Sequence, residues 1–99
     1  MMNFDKPKFI TFEGGEGVGK TTLIDALYQY LKNSRQDVIK TRAPGGTEIG
    51  QLIRKILLNR HQDNMSSLCE LFLFLADRSQ HVDELILPAL KKKKIVLVI

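Results

Sequence analysis

The feature that most constrains this chain is a glycine-rich segment between a short apolar run and an amphipathic stretch. Residues 14–21 fit the pattern G-x-x-x-x-G-K-[ST] at every defined position. The apolar run at residues 9–13 predicts a strand, and helical spacing of leucines predicts a helix from 21 to about 32. Glycines let the backbone turn its N–H groups toward an anion, and the helix dipole adds positive potential. The segment therefore predicts a loop that holds nucleotide phosphates; the alternative is a glycine-rich turn before a helix.

The predicted loop assigns a role to each of its polar groups. Lys20 can reach the β- and γ-phosphates as a point charge and is the candidate catalytic residue. The Thr21 hydroxyl suits the Mg²⁺ ion that accompanies a nucleoside triphosphate. The residues predicted to bind the phosphates are Gly14, Gly15, Glu16, Gly17, Val18, Gly19, Lys20 and Thr21.

Length and composition limit the chain to at most one small domain of 99 residues. The net charge of +4 comes in part from four lysines at 91–94, which are typical of a solvated loop, so no nucleic-acid partner is required. The single cysteine, Cys69, cannot form an internal disulfide; we expect it to be a buried packing residue in a reducing cytoplasm. Neither a signal peptide nor a membrane-spanning run is visible, which predicts a cytoplasmic protein without a membrane partner.

Alternation of strands and helices predicts an α/β fold. Val38–Thr41 reads as a second short strand, and the β-branched run 95–99 reads as a buried parallel strand, which normally needs cover on both faces. Strand–helix–strand units of this spacing form parallel crossovers. Together with the glycine-rich loop, this alternation predicts a P-loop NTPase-type three-layer α/β/α fold with a parallel sheet of about three strands and their helices; that this sheet is incomplete is implied by the family resemblance given below.

The segment after the second strand contains proline and paired glycines, which predict an irregular loop at residues 42–47. Ligands of open α/β sheets bind outside the carboxyl ends of the strands, so this loop should lie at the same edge as the phosphate loop. Arg42 is then either an anion ligand or a solvent-facing arginine. Thr47 is the expected N-cap of a second helix. The predicted apolar face of that helix is Ile49, Leu52, Ile53, Ile56 and Leu57.

A third helix is predicted to begin at a capping box formed by Ser67 and Glu70, and Pro88 should bend or restart its continuation. At about 100° per residue, one broad apolar side should face the core. The members of that side are Leu68, Leu71, Phe72, Leu75 and Val82, and Leu73 and Ala76 extend the apolar surface further round the helix.

The remaining stripe of the third helix is polar apart from one aromatic ring. Its members are Glu70, Phe74, Asp77, Arg78 and His81. Phe74 lies one turn from Arg78, so a stacking face, a guanidinium and a carboxylate occur together, which is typical of a base-binding surface. The alternative is a core phenylalanine beside a surface ion pair.

Four stretches of the chain, in their order and spacing, resemble the N-terminal half of bacterial thymidylate kinases (dTMP kinases). They are residues 12–22, 41–47, 73–82 and 86–90. The resemblance implies that residues 1–99 are the N-terminal part of a single nucleoside monophosphate kinase domain, without its C-terminal lid and remaining strands. It also implies transfer of the γ-phosphoryl group of ATP to dTMP, giving dTDP and ADP, and a possible homodimer.

The resemblance also implies a set of contacts to the acceptor nucleotide. They are Glu16, Arg42, Pro44, Arg54, Phe74 and Arg78. Phe74 would stack on thymine, Arg78 would hydrogen-bond the carbonyl edge of the base, and Glu16 would approach the sugar hydroxyl. The other three would surround the acceptor phosphate.

The chain departs from the family pattern in three places. Ala43 stands where the family usually has glutamate, and Gly17 stands where some members have a catalytic arginine. The lid that supplies arginine in the other members, and the Asp-Arg-Tyr-like motif expected after the strand 95–99, are absent from these residues. The alternative function is therefore a non-catalytic nucleotide-binding fragment of a frameshifted or split kinase gene. A GTPase is less consistent, because neither Asn-Lys-x-Asp nor Asp-x-x-Gly after the second strand occurs.

Overall fold

The computed structural model describes residues 8–13, 19–59 and 64–99. They form three strands and four helices, with a π-helical segment at Val82–Ile86. In chain order the elements are β1 (Lys8–Thr11), α1 (Lys20–Asn33), β2 (Val38–Thr41), α2 (Glu48–Leu58), α3 (Ser67–His81), α4 (Leu87–Lys91) and β3 (Ile95–Val98). Two compact units can be distinguished: Met1–Arg42 with Ile86–Ile99, and Ala43–Leu85. The predicted phosphate-loop residues 14–18 lie outside the described residues.

The sheet of the first unit is parallel, as predicted, and its strand order is β1-β3-β2. Thr11 of β1 and Thr41 of β2 both lie opposite Val98 of β3. Beyond this register the pairing continues, because Phe12 N–H donates to the Val98 carbonyl (2.8 Å) and Ile99 N–H donates to the Thr41 carbonyl (3.1 Å). The segments after β1 and β2 therefore leave the sheet at the same edge.

The core of the first unit lies between α1 and one face of the sheet. Its fully buried members are Ile24, Leu31, Val38, Ile95 and Leu97. Successive strand residues point to opposite faces, yet every residue of β3 is buried, with at most 7% of its surface exposed. The aliphatic composition of β3 thus correctly predicts a strand that is covered on both sides.

Most predicted boundaries in the first unit agree with the structure to within two residues. β2 spans the predicted Val38–Thr41, whereas β1 begins one residue earlier and ends two residues earlier than predicted. α3 continues past His81 through the π-helical segment Val82–Ile86, which ends two residues before Pro88, a residue that cannot donate a backbone hydrogen bond. Of the four lysines at 91–94, the first three are exposed, as expected for a solvated turn.

The second unit consists of the loop that begins at Ala43 and of helices α2 and α3, which pack against each other. The Thr47 hydroxyl accepts a hydrogen bond from Gly50 N–H (2.9 Å), which confirms the predicted N-cap of α2. Of the predicted apolar face of α2, only Ile53 and Leu57 are buried.

The start of α3 differs by one residue from the prediction. Ser66, not Ser67, is the N-cap, and its hydroxyl accepts from Cys69 N–H (3.1 Å). Ser66 has an extended backbone, which aims its hydroxyl at the third N–H of the helix. Because the two adjacent serines offer the same hydroxyl, only the backbone conformation decides between them.

The burial of α3 is the reverse of the prediction from hydropathy. Four residues of its predicted core side, Leu68, Leu71, Phe72 and Leu75, are exposed by 48–59%, whereas Asp77 and His81 are 1% and 2% exposed. Cys69 is also exposed, so its prediction as a packing residue is wrong. The least exposed positions follow Glu70, Leu73, Asp77 and His81, a helical spacing that places a largely polar stripe on the packed side. Such burial is tolerated when polar groups find partners inside, as described below for Asp77.

Among the described residues, no helix combines the length and the apolar character needed to cross a membrane.

Two leucines on α1 test the core that lies between this helix and the sheet of the first unit. Leu31 is 1% exposed and Leu23 is 58% exposed. We expect Leu31→Ala to lower the free energy of unfolding by about 2–5 kcal/mol, because it leaves a cavity against the sheet. Leu23→Ala, the same change on the same helix, should shift it by only about 0.5 kcal/mol. Urea unfolding of both variants measures the difference, and equal losses would contradict the assigned core.

Candidate functional site

The first unit presents part of the predicted phosphate site at the start of α1. Gly19 is the N-cap residue, and its carbonyl accepts the Leu23 N–H (2.8 Å), the first helical hydrogen bond. Lys20 and Thr21 follow in the first turn, with Lys20 half-buried and Thr21 exposed. The N–H groups of a first helical turn have no partner within the helix and point toward an incoming anion. The other predicted contacts, Gly14, Gly15, Glu16, Gly17 and Val18, lie outside the described residues.

The chemistry of Thr21 fits the Mg²⁺ ion that the resemblance implies. Its exposed side chain at the helix start offers a hard oxygen ligand next to the predicted phosphate site. Mg²⁺ is commonly held by one or two protein oxygens together with substrate phosphates rather than by a protein cage. Within residues 8–13, 19–59 and 64–99, no group of three or more His, Cys, Asp or Glu side chains could hold a metal ion. Thr21 is thus the described residue that would contact Mg²⁺.

Arg42 follows β2 directly and is exposed. Because Thr41 and Thr11 share Val98 as their partner, Arg42 leaves the sheet at the edge where the chain leaves β1. This placement agrees with the expected position of the loop after the second strand. Its role as an anion ligand remains a prediction.

In the second unit, two predicted acceptor residues are in direct contact. Arg54 of α2 donates from Nη1 to the Pro44 carbonyl at 3.1 Å, and both residues are half-buried. The peptide bond between Ala43 and Pro44 is cis. The hydrogen bond holds the guanidinium of Arg54 beside the loop that follows β2.

The loop has a second anchor, for which the sequence predicted a different role, as the carboxylate of the base-binding surface. Asp77 of α3 accepts the Gly45 N–H through Oδ1 at 3.0 Å, and this hydrogen bond is buried. The sequence placed Asp77 in the polar stripe of the helix, but hydropathy alone assigns such a residue to solvent. Only a partner 32 residues away reveals that it is buried.

Phe74 and Arg78 lie one turn apart on α3, and both are exposed. Phe74 has 42% of its surface exposed, which excludes the alternative of a fully buried core phenylalanine. An aromatic face beside a guanidinium offers stacking and hydrogen-bond donors to the same planar ligand. Asp77, the carboxylate in the same stripe, is turned into the protein and does not contribute to this surface.

His81 lies one turn beyond Asp77 on α3 and is 2% exposed. Its burial lowers the pKa of the imidazole below 6.5, and the nearby Asp77 carboxylate opposes that shift only in part. The neutral imidazole is therefore favoured in the folded protein at neutral pH.

Known proteins similar to this chain belong to the family that the sequence resembles. The family model described as thymidylate kinase matches residues 12–99. The chain is 56% identical over 94 residues to the thymidylate kinase of Protochlamydia amoebophila, covering 93% of this chain and 41% of that protein. It is 55% identical over 89 residues to the thymidylate kinase of Bartonella quintana, covering 90% of this chain and 42% of that protein.

A solved structure is also similar. The crystal structure of thymidylate kinase from Ehrlichia chaffeensis superposes with a TM-score of 0.85 at 40% sequence identity. The match covers 94% of this chain and 52% of that one. The three parallel strands and their helices therefore form part of a P-loop NTPase-type fold with a partial sheet, as the sequence predicted.

The burial of His81 predicts a pH dependence of stability. An unfolded histidine takes up a proton near pH 6.5, whereas the folded protein takes it up only at a lower pH. The contribution of His81 to the free energy of unfolding is therefore complete above pH 6.5. It is lost as the pH falls through 6.5 toward the pKa of the folded protein. Urea unfolding at pH 7.5 and 5.5 should show a smaller loss of unfolding free energy in His81→Gln than in the unmodified protein.

The chain offers a matched control, because its other histidine is His61. His61→Gln should retain the loss of stability between pH 7.5 and 5.5 seen in the unmodified protein. An equal pH dependence in His81→Gln and His61→Gln would contradict the assignment to His81.

Proposed function

The chain belongs to the thymidylate kinase family, and on this premise we propose that the protein transfers the γ-phosphoryl group of ATP to dTMP. In this step an oxygen of the dTMP 5′-phosphate bonds to the γ-phosphorus. The bond from that phosphorus to the β,γ-bridging oxygen breaks, and dTDP and ADP are formed. Such a reaction needs alignment of two anionic groups and neutralisation of the charge that develops between them. The chain spans less than half the length of the curated relatives described above, so the activity of the whole protein is part of the proposal.

The donor side of the proposal rests on the start of α1. Lys20 would hold the β- and γ-phosphates through its ammonium group, assisted by the N–H groups of the first helical turn. Thr21 would hold Mg²⁺, which when bound supplies charge neutralisation at the phosphates. The loop residues Gly14 to Val18, with Glu16 near the acceptor sugar, stay predictions from the sequence.

One observation supports the acceptor side: Phe74 and Arg78 lie one turn apart on α3 and are both exposed, whereas Asp77 between them is buried. Phe74 would stack on thymine, and the guanidinium of Arg78 would donate to a carbonyl oxygen of the base. Two further guanidiniums suit the dTMP phosphate, which they can bind with paired hydrogen bonds. One is Arg54, held against Pro44; the other is Arg42 at the end of β2, whose contact with the phosphate stays a prediction from the sequence.

The proposal includes ATP and dTMP as partners and the cytoplasm as the compartment. The homodimer implied by the resemblance stays a prediction. The exposed apolar side chains of α3, among them Leu71 and Phe72, support it, because an apolar surface of this kind is typical of protein interfaces.

Catalysis is tested by ADP release in the presence of ATP, Mg²⁺ and dTMP, followed in a coupled assay. We expect turnover that requires dTMP. Lys20→Ala should lower kcat about a hundredfold or more, because the negative charge on the β- and γ-phosphates then lacks the ammonium group that neutralises it. Lys32→Ala removes an exposed lysine from the other end of α1 and should leave kcat unchanged. Binding of both nucleotides without turnover would instead identify a non-catalytic nucleotide-binding protein.

Base recognition is tested by a pair of phenylalanines on α3. Phe74→Ala should weaken dTMP binding by about 1–3 kcal/mol, the usual contribution of stacking on a base, and should leave ATP binding unchanged. Phe72 is 59% exposed on the same helix, two residues away and thus on the other side, and Phe72→Ala should retain the affinity for dTMP. Isothermal titration of each variant with dTMP measures this difference. Equal weakening by the two substitutions would remove Phe74 from the site.

A further inference from the structure

The most unusual group of the second unit is the Asp77 carboxylate, which is 1% exposed. Removing a carboxylate from water is costly unless hydrogen bonds replace its hydration. Here Oδ1 accepts the Gly45 N–H at 3.0 Å. An apolar side chain could fill the same space between helix and loop but could not accept this N–H. The carboxylate therefore specifies the position of the Gly45 backbone rather than merely filling volume.

The packing around Asp77 leaves little freedom for the loop. A Cβ atom placed on Gly50 of α2 would overlap Asp77 Oδ1 and lie 3.0 Å from Thr47 Oγ1 and 3.3 Å from Gly45 Cα. Gly45 itself has φ of +107°, a conformation that favours glycine. The first turn of α2, the loop and α3 thus meet at the Asp77 carboxylate, where only a residue without a side chain fits at position 50.

Two consecutive loop residues are held by different helices. The Pro44 carbonyl accepts from Arg54 of α2 at 3.1 Å, and the Gly45 N–H donates to Asp77 of α3. On α3, Asp77 lies three residues after Phe74 and directly before Arg78. One turn of a single helix therefore carries both the exposed aromatic–guanidinium pair and the anchor of the loop that contacts Arg54.

We propose that Asp77 is a positioning residue for the acceptor nucleoside monophosphate. Through Gly45 it sets the loop at residues 44–47, and with it Arg54, at a defined distance from Phe74 and Arg78. The phosphate and the base of one acceptor must then fit this distance at the same time. Asp77 is buried and acts on the acceptor only through the loop. The inference rests on the proposed function, because it takes those two groups of residues as the two ends of the dTMP site.

The test compares two substitutions of Asp77 in the full chain. Asp77→Ala removes the acceptor for Gly45 N–H and should weaken dTMP binding at least about tenfold, with a decrease in kcat. Affinity for the non-hydrolysable ATP analogue AMP-PNP should stay within about twofold, because the described residues proposed to hold ATP, Lys20 and Thr21, lie at the start of α1 and not in this loop. Asp77→Asn keeps an oxygen of the same reach and should restore dTMP affinity close to that of the unmodified protein. Asp83→Ala, the same truncation at an exposed position, is the matched control.

A second variant covers the case in which Asp77→Ala does not fold. Gly50→Ala keeps the carboxylate but inserts a methyl group against Oδ1, so it should displace Asp77 from Gly45 and raise the KM for dTMP more than that for ATP. Unchanged dTMP binding in a folded Asp77→Ala or Gly50→Ala protein would overturn the inference. So would an equal loss for dTMP and AMP-PNP, which a merely structural role predicts. If the unmodified protein binds no dTMP, the proposed function fails and this inference fails with it.

Discussion

The pairing of β3 with both β1 and β2 is the constraint on which the first unit depends. Four aliphatic residues at Ile95–Val98 can be buried on both faces only in a central strand. Since both pairings are parallel, Thr11 and Thr41 lie opposite the same residue, Val98. The segments that lead toward Lys20 and to Arg42 then leave the sheet at one edge. The burial of β3 thus determines the edge of the sheet at which the segments after Thr11 and Thr41 begin.

Features decided by local chemistry were predictable from the sequence. Val38–Thr41 was predicted to the residue, and Thr47 caps α2 because its hydroxyl can satisfy an N–H three residues later. The position of Arg42 at the carboxyl end of β2 follows from the parallel sheet alone. Phe74 and Arg78 are predicted as a base-binding pair because a ring within a polar helical stripe is unexpected; both are exposed, and their role stays a prediction. Ser66 instead of Ser67 shows the limit of such reasoning, since adjacent serines differ only in backbone conformation.

The burial of α3 could not be predicted in this way. A hydropathy pattern assigns Leu71 to the core and Asp77 to solvent because it counts the cost of desolvating each side chain alone. In the folded protein the N–H of Gly45 compensates the burial of Asp77, and that donor lies 32 residues earlier in the chain. His81 follows into the same buried stripe one turn later and is kept neutral there. Tertiary hydrogen bonding, which periodicity does not contain, therefore reverses which side of the helix is packed.

The division of roles between the two units has a consequence for selectivity. Lys20 and Thr21, in the first unit, are suited to phosphates and a cation, which all nucleoside triphosphates present alike. Contacts to phosphate position a ligand, whereas contacts to a base distinguish one ligand from another. In the proposed function, discrimination among acceptors therefore resides within Ala43–Leu85, where α3 carries Phe74, Asp77 and Arg78 on one turn. Asp77 ties that turn to the loop beside Arg54, so in this proposal base recognition and phosphate positioning would not vary independently. A nucleoside monophosphate with a larger base could then contact Phe74 and Arg78 or place its phosphate at Arg54, but not both at once.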